Sequence, residues 1–171
     1  MRLFWIINAA LFQLCWWSAA LFSQRAVLIM SATLILHLAL SPTKLDDLKL
    51  LPLALIGIVV DQLLISFGVI DVKQSMIPIW LVLLWIILTW SLNHSLSWLS
   101  NIKLWQVAIL GGVLGATSYL AAIELGAIST PLTLTVFTMI EAIIWCGLLP
   151  ALCVLRQRLI DTHRKEKQGY A

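Results

Sequence analysis

Asp61 and Glu141 each fall near the middle of a long apolar run, in a chain with no lysine or arginine inside any such run. An ionised carboxylate surrounded by hydrocarbon is costly, so each acid must be protonated, hydrogen-bonded or turned toward a wet cavity. The chemistry open to such a pair is proton exchange, cation binding or recognition of a polar head group. A neutral acid could instead serve as a hydrogen-bonding link between helices. Gly57, Asp61, Leu64 and Gly68 recur at i, i+4, i+7 and i+11, one helical face on which small residues would admit a neighbouring helix. Gln62 adjoins Asp61, and Thr138, Glu141 and Trp145 form a second inward stripe.

A second polar group belongs nearer one end of the runs. It comprises Asn8 and Gln13 in the first, His37 in the second, and Asn93 with His94 at the end of the fourth. Trp85, Thr89 and Asn93 share a face at i, i+4 and i+8. These residues suit either a polar pocket open to the cytoplasmic leaflet or an interface satisfied by water and head groups. In the pocket case His94 is the candidate general base, whereas His37 alone reads as a packed or snorkelling histidine. Tyr119 follows Gly111, Gly112 and Gly115 in the fifth run, a glycine row that with Ala108 and Ala116 calls for close helix packing.

The elements that must position these residues follow from hydropathy. Of 171 residues, 61% are hydrophobic and only 11% charged, and mean hydropathy is +1.00, which excludes a soluble domain. Six apolar runs, at about 3–22, 26–40, 50–70, 77–93, 105–123 and 131–155, are near the length a helix needs to cross a bilayer core. Pro52, Pro78 and Pro131 fit first turns, and Pro150 predicts a kink. Residues 41–49 read as a solvated turn, 95–104 as an interfacial helix, and 156–171 as a basic cytoplasmic tail.

With the amino terminus in the cytoplasm and six crossings, the inside holds Arg2, Lys44, Lys49, Lys103, Arg156, Arg158, Arg164, Lys165 and Lys167, against Arg25 and Lys73 outside. That bias places both termini in the cytoplasm. The first run is expected to remain as a helix rather than be cleaved, since Trp16 and Trp17 lie just before the loosely matching Ser18 and Ala20. The three cysteines lie in apolar runs and offer no disulfide framework. No metal site, cofactor motif, nucleotide loop or nucleic-acid surface is expected. Trp5, Trp80, Trp98 and Trp105 suit an aromatic belt, and Trp16, Trp85, Trp90 and Trp145 could line a cavity for acyl chains.

On these residues the chain resembles an uncharacterised family of small bacterial inner-membrane proteins, the domain of unknown function numbered twenty-eight seventy-eight. The matching features are Asn8, Phe12, Gln13 and Trp16, then Asp61 with Gly68, then the stretch from Ile77 to Leu99 with its Leu92-Asn93-His94-Ser95-Leu96 core. The run from Gly111 through Tyr119 to Ile128 also fits, with Ala116-Thr117 where the family often has Gly-Pro. The resemblance implies an all-α polytopic bundle in a bacterial inner membrane and implies no activity. Genes of the family tend to lie near relatives of cyclopropane-fatty-acid synthase, which implies a lipid-modification setting. The leading expectation is therefore an accessory or binding protein in membrane lipid modification or envelope maintenance, with membrane lipids, another inner-membrane protein or a second copy as partners. The alternatives are a small proton-coupled transporter using Asp61 and Glu141 and a membrane-embedded lipid enzyme using His94.

Overall fold

The computed structural model describes residues 2–169, and side chains over 3–160. The chain forms α1 (Arg2–Phe22), α2 (Val27–Leu40), α3 (Lys44–Ser66), α4 (Ile79–Asn93), α5 (Leu104–Glu124) and α6 (Leu134–Gly169), with 3-10 turns at Ser23–Ala26 and Ser97–Asn101. Among the described residues there is no strand, only an isolated antiparallel bridge between Asp71 and Ser129.

Four helical stretches are long and apolar enough to cross a membrane: Leu3–Leu40, Lys44–Ser66, Leu104–Glu124 and Leu134–Ile160. The helix Ile79–Asn93 is apolar but shorter. The stretch from Leu3 to Leu40 is no single rod. Asn8 Nδ2 lies 3.3 Å from His37 Nδ1 across a separation of 29 residues, whereas a straight helix would hold them about 44 Å apart. The reversal occurs at the polar Ser23-Gln24-Arg25, where Ser23 takes a left-handed φ of 47°, and α1 and α2 pack as an antiparallel hairpin.

Burial departs from that of a soluble protein. Leu3, Leu28, Phe67 and Ile143 are more than 70% exposed, while Asn8, His37, Asp47, Asp61 and Glu141 are at most 1% exposed. Beside an apolar core, many large apolar side chains face outward, and a set of polar ones faces inward. This is the arrangement of a membrane-embedded chain, whose polar groups find partners only inside the bundle.

Several expected boundaries move. α3 begins at Lys44 rather than 50, so Pro52 lies inside the helix. Residues 41–49 are consequently no solvated turn: Asp47 occupies the first turn of α3 and is fully buried. After Asn93 the backbone breaks at His94 (φ −124°, ψ −98°) into the 3-10 turn instead of continuing as α-helix. α6 runs unbroken past residue 155. The side chains of Arg2, Arg164, Lys165 and Lys167 lie outside the described residues.

Close packing is concentrated between α5 and α6, the most extensive helix pair. A Cβ at Gly111 would meet the Trp145 carbonyl, one at Gly112 the Cys146 sulfur, and one at Gly115 the Trp145 ring; at Gly57 it would meet the Trp85 ring. Gly68 behaves otherwise. Nothing lies near the place of its Cβ, and its φ of +70° ends α3, where Val69 N–H reaches back to the Leu64 carbonyl at 2.8 Å. It is a helix stop, not a packing residue.

Candidate functional site

Asp47 is the centre of a buried polar cluster at the end of the bundle where α1 begins, α2 hands over to α3, and α4 hands over to α5. Its Oδ1 accepts from Asn93 Nδ2 at 2.8 Å and His94 Nε2 at 2.8 Å. Its Oδ2 accepts from Ser41 Oγ at 2.5 Å and His37 Nε2 at 3.3 Å. Its own carbonyl takes the Trp90 indole N–H at 2.9 Å. The His37 ring stacks on Trp90 with centroids 4.8 Å apart, and Phe4 presents its edge to both histidines.

The surrounding amides fix the proton positions. Asn8 Oδ1 accepts from the Ser95 backbone N–H at 3.0 Å and from Ser95 Oγ. Its Nδ2 must therefore be the atom facing His37 Nδ1, which leaves that nitrogen as acceptor and puts the histidine proton on Nε2, toward Asp47. Asn93 is set in the same way: Arg156 Nη2 donates to its Oδ1 at 2.9 Å, turning its Nδ2 to Asp47 and to Thr43 Oγ1. Every group around the Asp47 carboxyl is a donor, an arrangement that suits the ionised form.

The nearest donor atoms of His37, Asp47 and His94 lie within 4.8 Å of one another, and two imidazoles with a carboxylate are a plausible divalent-cation set. The surroundings argue against it. A ligating histidine gives its second ring N–H to an acceptor, yet Asn8 offers the second nitrogen of His37 a donor. The cluster is built for hydrogen bonding.

A second cluster lies deeper. Asp61 accepts from the Trp85 indole at 2.6 Å and from the Tyr119 hydroxyl at 2.6 Å. Trp85 stacks on Trp145 with centroids 5.4 Å apart and planes 8° from parallel. Gly57 and Gly115 make this possible by letting the two rings lie against the backbones of α3 and α5. Glu141 is fully buried, and neither of its oxygens has a hydrogen-bond partner. Trp145, one turn along α6, is an adjacent donor, and Tyr119 is within electrostatic reach of both acids.

These aromatic residues form the wall of a cavity of about 510 Å³, within the roughly 300–1,000 Å³ of small-ligand sites. α1 and α5 make no substantial contact with each other, and α4 floors the space between them. α1 contributes Trp5, Phe12 and Trp16, and α4 contributes Trp80 and Trp85. Tyr119, Trp145 and Trp98 complete a wall that contains six of the nine tryptophans and no charged residue.

The expected site residues thus divide. Asn8, Asn93 and His94 join Asp47, whereas Asp61, Tyr119 and Glu141 form the deeper cluster. Gln13 lines the groove. Gln62 belongs to neither: it clamps the loop after α3 through the Ile77 N–H, the Ser75 carbonyl and Ser66 Oγ. Thr138 is half-buried and donates to the Leu134 carbonyl of its own helix. Sequence reasoning misses Asp47 and the roles of His37, Ser41, Ser95 and Arg156. One signal points to Asp47: the stripe through Gly57, Asp61 and Leu64 extends backward through Ala54 and Leu50 to Asp47 at alternating steps of three and four.

No curated protein and no solved structure matches the chain. One family profile does, over residues 5–151, a span that includes Asp47, both histidines beside it, Asp61, Tyr119 and Glu141. By that match the chain belongs to the family described as protein of unknown function DUF2878.

Proposed function

We propose that this protein is a six-crossing inner-membrane bundle that holds the apolar part of an amphiphile in the tryptophan-lined groove, as an accessory or binding protein in membrane lipid modification or envelope maintenance. The observation that carries the reading is the groove between α1 and α5, predominantly apolar and about 510 Å³ in volume. Along α5 its lining runs from Leu110 to Ala122, about 18 Å at 1.5 Å per residue. That is close to one leaflet of a hydrocarbon core of roughly 30 Å. A single acyl chain fits both the length and the chemistry.

In this reading the end bearing Lys44, Lys49, Lys103, Arg156 and Arg158 faces the cytoplasm, and the end bearing Arg25 and Lys73 faces outward. The hairpin of α1 and α2, the shared polar cluster and the Asp71–Ser129 bridge support six passes, because they gather alternate connections at opposite ends. The short α4 is shielded by α1, α2, α3 and α6, so it need not match the full bilayer thickness.

The test is quenching of tryptophan fluorescence by phospholipids brominated along the acyl chain, with the purified protein in nanodiscs. Quenching of the groove tryptophans should fall when Leu114, on the groove wall, is replaced by Phe to fill the space without adding an indole, and a specific lipid should co-purify with the wild type only. Equal quenching in the two proteins, with no lipid above detergent background, overturns the proposal.

A further inference from the structure

The groove has an electrostatic feature that acyl-chain binding does not require. Asp61, 1% exposed, lies directly behind its wall and is held by two wall residues, Trp85 and Tyr119. Both of those partners are neutral donors. Glu141, also behind the wall, has both carboxyl oxygens buried without a well-formed hydrogen bond, the neutral Trp145 indole being its adjacent donor. No lysine or arginine occurs in any of the six apolar runs, and Asp61 and Glu141 form no salt bridge among the described residues. Buried acids at membrane depth ordinarily pair with a base or face a functional pathway. Among the described residues no basic side chain supplies the counter-charge.

The wall supplies the other half of a cation site. Tyr119 and the stacked Trp85–Trp145 pair cluster beside the two acids. The pair's faces are taken up by each other and by the backbones at Gly57 and Gly115. Of the three it is therefore the Tyr119 ring that an organic cation would approach, an attraction strongest where water is excluded. With six tryptophans and no basic side chain along its length, the groove offers an anion no counter-charge. We propose that the groove is selective for a lipophilic cation, an amphiphile whose positively charged group seats at Tyr119, beside the stacked Trp85–Trp145 pair, and takes Asp61 and Glu141 as its counter-charges. The inference rests on the groove being a binding site and adds the charge of its ligand.

Tetraphenylphosphonium and tetraphenylborate make the test, being close in size and apolar surface and opposite in charge. Each is titrated against the full-length protein in a neutral detergent, with intrinsic tryptophan fluorescence as the readout and empty micelles as the blank. The phosphonium should bind about tenfold tighter than the borate, or more, as expected for a desolvated cation–aromatic contact reinforced by buried acids. A double variant, Asp61→Asn with Glu141→Gln, should lose most of that preference. Borate binding as tight as phosphonium in the wild type overturns the cation inference, and that comparison holds whether or not the double variant folds. An unchanged preference in a folded double variant overturns the role of the two acids. Loss of lipid quenching with phosphonium binding intact would instead remove the acyl-chain reading and leave the cation site standing.

Discussion

Asp47 and Asp61 lie on the same face of α3, four turns apart, and the bundle treats them in opposite ways. Asp47 is ringed by Ser41, Asn93, His37 and His94, with Asn8, Ser95 and Arg156 holding those donors in place. Asp61 has an indole and a phenol, and its neighbour Glu141 has only the adjacent Trp145 indole, with no well-formed hydrogen bond to either oxygen. One acid is over-determined, with contributions from every helix except α5. The other is under-satisfied and backs onto an apolar groove. Saturated buried networks specify a unique packing, while partly satisfied ones mark places where something else binds. The end cluster is on this ground the structural keystone, and the deeper cluster is the functional candidate.

The largest effect should come from removing the keystone. Asp47→Ala strips the acceptor from two histidines, an asparagine and a serine at once. Breaking a buried charged network in this way costs about 3–5 kcal/mol, so the variant should fail to accumulate or lose most of its resistance to thermal unfolding in detergent. Asp61→Ala should be distinctly milder. Comparable losses from the two substitutions would erase the distinction between the clusters.

A finer version uses the isosteric amides. At position 61 an asparagine can keep its oxygen toward the Trp85 N–H and turn its amide to Tyr119, whose hydroxyl can accept as well as donate. At position 47 every neighbour is a donor, so the new amide must leave at least one of them facing another N–H unless a histidine changes tautomer. Asp47→Asn should therefore destabilise more than Asp61→Asn by about 1–3 kcal/mol, read as the difference in unfolding midpoint between the two purified variants.

How much of this is legible in the sequence follows from what each cluster depends on. The deeper acids stand out, because an Asp or Glu inside a run of leucines has no solvated alternative. Gly57 and the fifth-helix glycines are equally plain as packing positions, although their specific role, making room for Trp85 and Trp145, requires the rings to be seen. Asp47 is hidden by its company. Lys44, Asp46 and Lys49 surround it, Pro52 suggests a helix start further on, and local composition therefore reads as a solvated turn. Its burial is a tertiary fact, created when α4 ends at His94 and α6 brings Arg156 beside Asn93. Gln62 misleads in the other direction: proximity to Asp61 in sequence implies a shared site, yet one residue along a helix is a rotation of about 100°, enough to aim it at the loop after α3.

A smaller effect separates the two bonds that Asp61 does have. Tyr119→Phe removes one hydrogen bond to the carboxylate and keeps the ring beside Trp145. Stability should fall by about 1–2 kcal/mol, and the wavelength of tryptophan emission should shift as the Asp61 carboxyl loses one of its two donors. The control is Gln62→Ala, which unties the loop at Ile77 and Ser75 and should leave the emission spectrum unchanged. A spectral change of equal size in both variants would mean that emission reports general loosening rather than the Asp61 environment.

The smallest expected effect is none, and it bears on the keystone itself. If His37, Asp47 and His94 held a resident divalent cation, saturating zinc would raise the unfolding temperature, by an amount equivalent to about 2.7 kcal/mol at a hundred times the dissociation constant. A chelator would lower it correspondingly. The hydrogen-bond order beginning at the Ser95 N–H and passing through Asn8 to His37 presents a proton, not a lone pair, to the centre of the cluster. Zinc would have to displace that proton and leave the Asn8 amide facing an N–H. Unfolding temperature should accordingly be indifferent to zinc and to chelator. A rise with zinc that His94→Gln abolishes would reverse the assignment and turn the keystone into a metal centre.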